Sequence, residues 1–157
     1  VAASFDFTGS VRLVPSWTEP LDLVDVVDKT TISQTLSLDD GTAAGEADCY
    51  WRDTRTVAAG QTDTLDLSSL PLNVYGGSDT LDIGTLRVVY VRNKSATVPL
   101  QYSVGTETMT ITPEGLFVWY GTTTYTAPPS SAAQEIVIEN TGASAVDYDI
   151  VLVGVQT

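Results

Sequence analysis

Apolar and polar side chains alternate with a period of two along almost the whole chain, and this regularity excludes most folds. Phe5, Phe7, Gly9, Val11 and Leu13 fall on one face of an opening segment, with Asp6, Thr8, Ser10 and Arg12 on the other. Successive side chains of an extended strand point to opposite faces, so the pattern reads as a half-buried strand ended by Val14-Pro15. Trp17-Thr18-Glu19-Pro20 reads as a connection. Residues 21–27 read as a second strand with apolar groups on both faces, and Ile32, Leu36 and Leu38 form the next apolar face. No segment places apolar residues at helical spacing over a useful length; residues 79–83 offer one helical turn at best.

Residues 49–70 are the densest part of the pattern. They hold Tyr50, Trp51, Arg52, Arg55 and the only cysteine, then a breaker at Gly60, then the alternating run Thr62-Asp63-Thr64-Leu65-Asp66-Leu67. Two strands joined by a small-residue turn are expected, with Leu65 and Leu67 in a core and Thr64 and Asp66 in water. Residues 86–92 are the most core-like strand, and residues 98–104 are expected to return beside it as a hairpin partner. Leu116-Phe117-Val118-Trp119-Tyr120 is short and strongly apolar, residues 121–134 read as a long Thr-, Ser- and Pro-rich loop, and residues 145–155 close the pattern. About ten short strands separated by turn signals predict an all-β fold: an antiparallel β-sandwich, jelly-roll-like, in a single domain spanning 1–157. Residues 1–8 are expected to form an extended N-terminal arm.

Charge and missing residue types narrow the function. Of 157 residues, 20 are acidic and 7 basic, a net charge of −13, and a polyphosphate backbone would be repelled. No apolar run approaches the ~20 residues of a membrane-spanning helix, so neither nucleic acid nor membrane is an expected partner. Histidine is absent, which removes Ser-His-Asp and Cys-His chemistry and imidazole metal ligands. The lone Cys49 cannot form an internal disulfide and reads as a small buried apolar residue.

The remaining chemical signals are weaker than their structural explanations. Asp39-Asp40-Gly41 with Glu46 and Asp48 gathers oxygen ligands, but not at the spacing of a calcium loop; turn formation accounts for it. No catalytic residue, cofactor or metal is expected. Trp119, Tyr120 and Tyr125 could form a sugar-stacking platform, although aromatic residues are equally enriched at subunit contacts. Arg52 and Arg55, in so acidic a chain, are expected to pair with Asp48, Asp53 or a neighbouring subunit. Asn93-Lys94-Ser95 matches a glycosylation sequon and equally a plain turn.

The stretch Tyr50-Trp51-Arg52-Asp53-Thr54-Arg55-Thr56-Val57-Ala58-Ala59-Gly60, continued by Asp63-Thr64-Leu65-Asp66-Leu67, resembles small β-sandwich virion proteins of tailed bacteriophages. The likeness extends to Leu86-Arg87-Val88-Val89-Tyr90-Val91-Arg92-Asn93-Lys94-Ser95 and to Phe5-Asp6-Phe7-Thr8-Gly9-Ser10-Val11. The resemblance implies a non-enzymatic building block, foremost a capsid decoration (cement) protein on the outer surface of the virion, made in the host cytoplasm. Its partners would be the major capsid protein and further copies of itself, as a trimer. A neck, tail or head-fibre component is the second structural option, and a carbohydrate-binding or adhesin module the alternative from another class. The contact residues expected on this reading are Phe5, Phe7, Arg52, Arg55, Trp119, Tyr120 and Tyr125, with the N-terminal segment adding to a neighbour's sheet edge.

Overall fold

The computed structural model describes residues 5–20, 24–72, 79–105, 107–125 and 134–157. Fifteen strands and no helix are found among them: β1 (Phe7–Leu13), β2 (Ser16–Glu19), β3 (Val26–Lys29), β4 (Ile32–Asp40), β5 (Glu46–Ala47), β6 (Cys49–Val57), β7 (Thr62–Asp66), β8 (Leu70–Leu72), β9 (Asp79–Leu81), β10 (Ile83–Asn93), β11 (Leu100–Val104), β12 (Glu107–Ile111), β13 (Leu116–Tyr125), β14 (Glu135–Asn140) and β15 (Val146–Gln156). The all-β, antiparallel expectation holds. All the strand pairings are antiparallel except the short β4–β5 pair.

Two four-stranded sheets form the body, in the orders β13-β10-β15-β6 and β12-β11-β14-β7. Their inner faces share one core: Trp51, Val89, Val91, Tyr148, Ile150 and Leu152 from the first sheet meet Leu65, Leu100, Tyr102, Ile111, Ile136 and Ile138 from the second. Alternation dictates this sandwich. Buried apolar residues recur at every second position of the central strands, as in Leu100, Tyr102 and Val104 of β11 and Val146, Tyr148, Ile150 and Leu152 of β15. Leu65 and Leu67 are buried and Thr64 and Asp66 exposed, as the pattern of residues 49–70 requires. Gly60, at φ 65°, makes the turn between β6 and β7 in a conformation most side chains avoid.

Within the sandwich sheets only β11 and β12 are both consecutive in sequence and neighbours. The expected hairpin between residues 86–92 and 98–104 therefore does not form. β10 pairs with β13 and β15, while β11 pairs with β12 and β14 in the other sheet. Asn93 is the reason. It is fully buried; its Nδ2 donates to the carbonyls of Val98 (2.8 Å), Ile111 (3.2 Å) and Thr112 (3.1 Å), and its Oδ1 accepts from the Ser95 N–H. The side chain stands in for a missing ladder and carries the chain from one sheet to the other. Asn140 does the same between β14 and β15, donating to Val57 O and Ser144 O.

Four other local expectations are corrected. Residues 17–19 belong to β2 rather than a connection, because they pair with β3. Of the expected strand over residues 21–27, only Val26 and Val27 are in β3, and residues 21–23 lie outside the described residues. Asp79-Thr80-Leu81 forms β9 against β8, where the sequence offered one helical turn at best. The expected loop over 121–134 begins later, since β13 continues to Tyr125; residues 126–133 lie outside the described residues.

A bulge in β10 sorts two neighbouring apolar residues into different layers. Leu86 pairs with Gly154 and Val88 with Val153, leaving Arg87 as the extra residue. Leu86 thus joins the main core, while Val88 faces outward into a second, smaller cluster with Leu38, Ala47 and Val153. Arg87 is buried, and its guanidinium donates to the carbonyls of Glu46 and Ala43, fastening the loop between β4 and β5 to the sheet.

Candidate interaction surfaces

The expected N-terminal arm takes a different form. Residues 1–4 lie outside the described residues, and β1 pairs with β4 of its own chain. The pairing starts at Phe7↔Leu38, runs to Leu13↔Ile32, resumes at Ser16↔Lys29 and ends at Glu19↔Val26 with no residue inserted on either side. A bond from Thr30 N–H to Pro15 O spans the gap. The result is one long hairpin arm in a constant register.

That register gives the arm an apolar face: Phe7, Leu38, Leu36, Val11, Leu13, Ile32, then Trp17 and Val26 toward the tip. Its proximal end is anchored. Phe5, Phe7 and Leu38 pack on the outward side of the first sheet against Ala47, Val88 and Val153, and Leu38 is only 1% exposed. Tyr120 Oη donates to Ser37 O (3.0 Å), and the Phe5 and Tyr50 rings approach to 6.2 Å. The distal end is bare: Leu13 is 56%, Ile32 57% and Trp17 69% exposed. A hairpin in water with neither face covered is marginal on its own.

The arm packs mainly on one rung of the sheet's outer face and reaches Val151 of the next. The first rung is Tyr120, Val88, Val153 and Tyr50; the next two are Val118, Tyr90, Val151 and Arg52, then Leu116, Arg92, Asp149 and Thr54. Leu116 is 58% exposed, and Arg52 and Arg92 are exposed. A groove of about 420 Å³ between Phe5, Phe7, Tyr50, Val151 and Val153 shares Val151 with a second, of about 310 Å³, beside Arg52, Thr54 and Asp149.

The two arginines singled out in the sequence separate. Arg55 faces inward at the sandwich edge, where Nε and Nη2 donate to the Asp63 carboxylate at 2.6 and 2.9 Å and Nη1 donates to Asp53 at 3.2 Å. Tyr148 Oη donates to the same Asp63 oxygen as Nε (2.9 Å). Burial acts to raise the Asp63 pKa, but the bonds from Arg55 and Tyr148 outweigh it and hold the carboxyl below its ordinary value. Tyr148 is pushed upward, by burial first and then by Asp63. Arg52 points outward and, like Arg92, makes no ion pair among the described residues.

Trp119 and Tyr120 point to opposite faces of β13. Trp119 packs on the main core and Tyr120 on the arm's base, so they do not form one platform. Tyr125 pairs with Leu86 in the ladder, and its side chain lies outside the description. The acids near the β4–β5 turn serve backbone donors: Glu46 accepts from Ala43 N–H, Asp48 from Gln156 N–H and Asp40 from Phe5 N–H. Cys49 is buried, and burial together with neighbouring Asp48 pushes its thiol up to about 12.

No protein-family model matches the chain, and no curated protein matches it. Among solved structures, a de novo designed double-stranded β-helix, determined in solution, aligns over 64% of this chain and 95% of its own, at 14% identity and a TM-score of 0.39. A likeness that remote bears on neither fold nor function. What the coordinates define is the class: an all-β protein of antiparallel sheets in a sandwich, carrying a projecting hairpin arm.

Proposed function

We propose that this chain is a non-enzymatic structural protein of a tailed-phage virion, a capsid decoration protein that binds the assembled lattice of major capsid protein and stabilises it as a homo-oligomer, most simply a trimer. The observation that carries this reading is the arm, which is anchored at one end by Phe5, Phe7 and Leu38 and bares apolar side chains over its outer half. Exposed apolar surface of this kind marks contact with another macromolecule. We read the strand order, with its single within-sheet hairpin, as a jelly roll, an architecture that viral capsid proteins share with lectins. Fold alone does not fix function, and the resemblance of residues 50–67 to virion proteins adds the direction.

The mechanism is geometric. Subunits that bind only the assembled lattice shift its equilibrium away from disassembly by mass action, and a closed ring of them multiplies weak contacts. The test is co-sedimentation with assembled capsids of the phage that encodes the chain, with subunits counted per particle. Capsid binding at a fixed stoichiometry is expected, together with a higher temperature of shell rupture. Co-sedimentation with necks or tails alone would move the protein there, and failure to bind any particle would overturn the reading.

A further inference from the structure

We propose that the bare outer half of the arm docks on the outer sheet face of a second copy of this chain, with the arm's acidic tip against Arg52 and Arg92. The proposal deepens the homo-oligomer part of the reading above and does not rest on capsid binding, which the co-sedimentation experiment tests separately.

Charge selects this occupant. The constant register places Asp28 beside Trp17 and Glu19 beside Val26 on the arm's apolar face, while the arm's two cations, Arg12 and Lys29, fall on the opposite face. The docking face of the arm is thus apolar with two carboxylates and no basic group. Face-to-face packing of arms on one another would crowd Asp28 and Glu19 against their copies, and like charges oppose this. In a chain with 20 acids and 7 bases, a matching basic surface is scarce. Arg52 and Arg92 supply it, exposed and unpaired among the described residues, on the rungs that also bare Leu116 and Val118; the carboxylate between them, Asp149, is already taken by Lys94 and the Thr54 hydroxyl.

The dimensions agree. From Val11 to Glu19 the arm extends roughly 26 Å at ~3.3 Å per residue. Four strands at ~4.8 Å spacing give an acceptor about 15 Å across, which a two-stranded ribbon can cross. Val151 lines both the groove at the copy's own arm base and the one beside Arg52, so own and foreign arms would lie on adjacent rungs of one sheet.

The test is molar mass by size-exclusion chromatography with light scattering, on three proteins whose folding is checked by thermal melting. The unaltered chain is expected at a whole multiple of 16.7 kDa; a monomer at its highest soluble concentration overturns the proposal. Replacing residues 14–31 by Asn-Gly joins Leu13 to Ile32 through a two-residue hairpin turn and removes no buried side chain among the described residues. It is expected to give a monomer, and an unchanged mass overturns the proposal. The double change Arg52→Glu with Arg92→Glu is expected to weaken association at least about tenfold. Adding Glu19→Lys and Asp28→Lys should then restore it. Failure of the second pair to rescue the first overturns the charge assignment.

Discussion

Arg55 on β6 and Asp63 on β7 belong to opposite sheets and meet through two hydrogen bonds, of 2.6 and 2.9 Å, closing one edge of the sandwich. The carboxylate is the more buried partner, with 15% of its side chain exposed against 29% for Arg55. It also takes the Tyr148 hydroxyl. Asp63→Asn keeps the shape but removes the charge that three donors address. A loss of about 2–3 kcal/mol is expected, read as a lower denaturant midpoint at neutral pH.

The same carboxylate gives a signed pH dependence. Its pKa is lower in the folded chain than in the unfolded one. Its contribution is therefore complete above the unfolded carboxyl value near ~4 and is lost as pH falls through the folded value. Unfolding curves of the native chain and Asp63→Asn should differ most at neutral pH and converge in acid below about pH 4. A gap that stays constant down to pH 2 would contradict the assignment.

Asn93 and Asn140 each replace a stretch of ladder at a sheet-to-sheet crossing. Asn93→Ala removes the donor to Val98 O and Ile111 O and the acceptor of the Ser95 N–H, while Thr112 O keeps the Gly115 N–H, and about 3 kcal/mol of destabilisation is expected. Asn93→Asp is expected to fare no better, since a carboxylate cannot donate to Val98 O. Thermal melting of both variants checks this, and Lys94→Ala serves as a control at an exposed neighbour.

The arm and the body should come apart separately. Leu38 belongs to the small outer cluster and not to the main core. Leu38→Ala is expected to speed amide exchange in β1 and β4 while leaving the slowest amides of β10 and β15 unchanged. Uniform acceleration would mean that arm and sandwich unfold as one unit.

Cys49 provides an opening probe. With the thiol buried and its pKa near 12, almost none is thiolate at pH 8. Labelling by a thiol reagent is expected only through unfolding, at a rate that rises with denaturant as stability falls. Rapid labelling of the native protein would show that β6 detaches locally.

Local alternation was legible wherever a residue's two neighbours settle its face. Leu65 and Leu67 against Thr64 and Asp66 needed nothing else, and neither did the burial of Cys49. Partners were not legible, because nothing in residues 86–104 announces that Asn93 turns the chain out of its sheet. The Asn93-Lys94-Ser95 triplet read as a turn or a sequon, and only the zero exposure of Asn93 reveals a structural plug. The bulge at Arg87 was hidden for the same reason: period-two reading puts Leu86 and Val88 on one face, and one extra residue separates them. Arg55 was expected to find nearby Asp53, and it does, but its closer partner Asp63 comes from the other sheet. The arm's strands were partly visible, whereas their pairing, and so the exposure of Trp17, depended on a register that no local pattern contains.

β15 lies between β10 and β6 at the centre of its sheet and donates Tyr148, Ile150 and Leu152 to the core. In the order of folding this makes it the keystone. Until residues 146–156 arrive, β6 has no neighbour within its sheet, and Val153 is missing from the cluster that seats the arm. The seat of the arm therefore joins Leu38 to Val153 across more than a hundred residues, a closure that is slow compared with the local β1–β4 pairing.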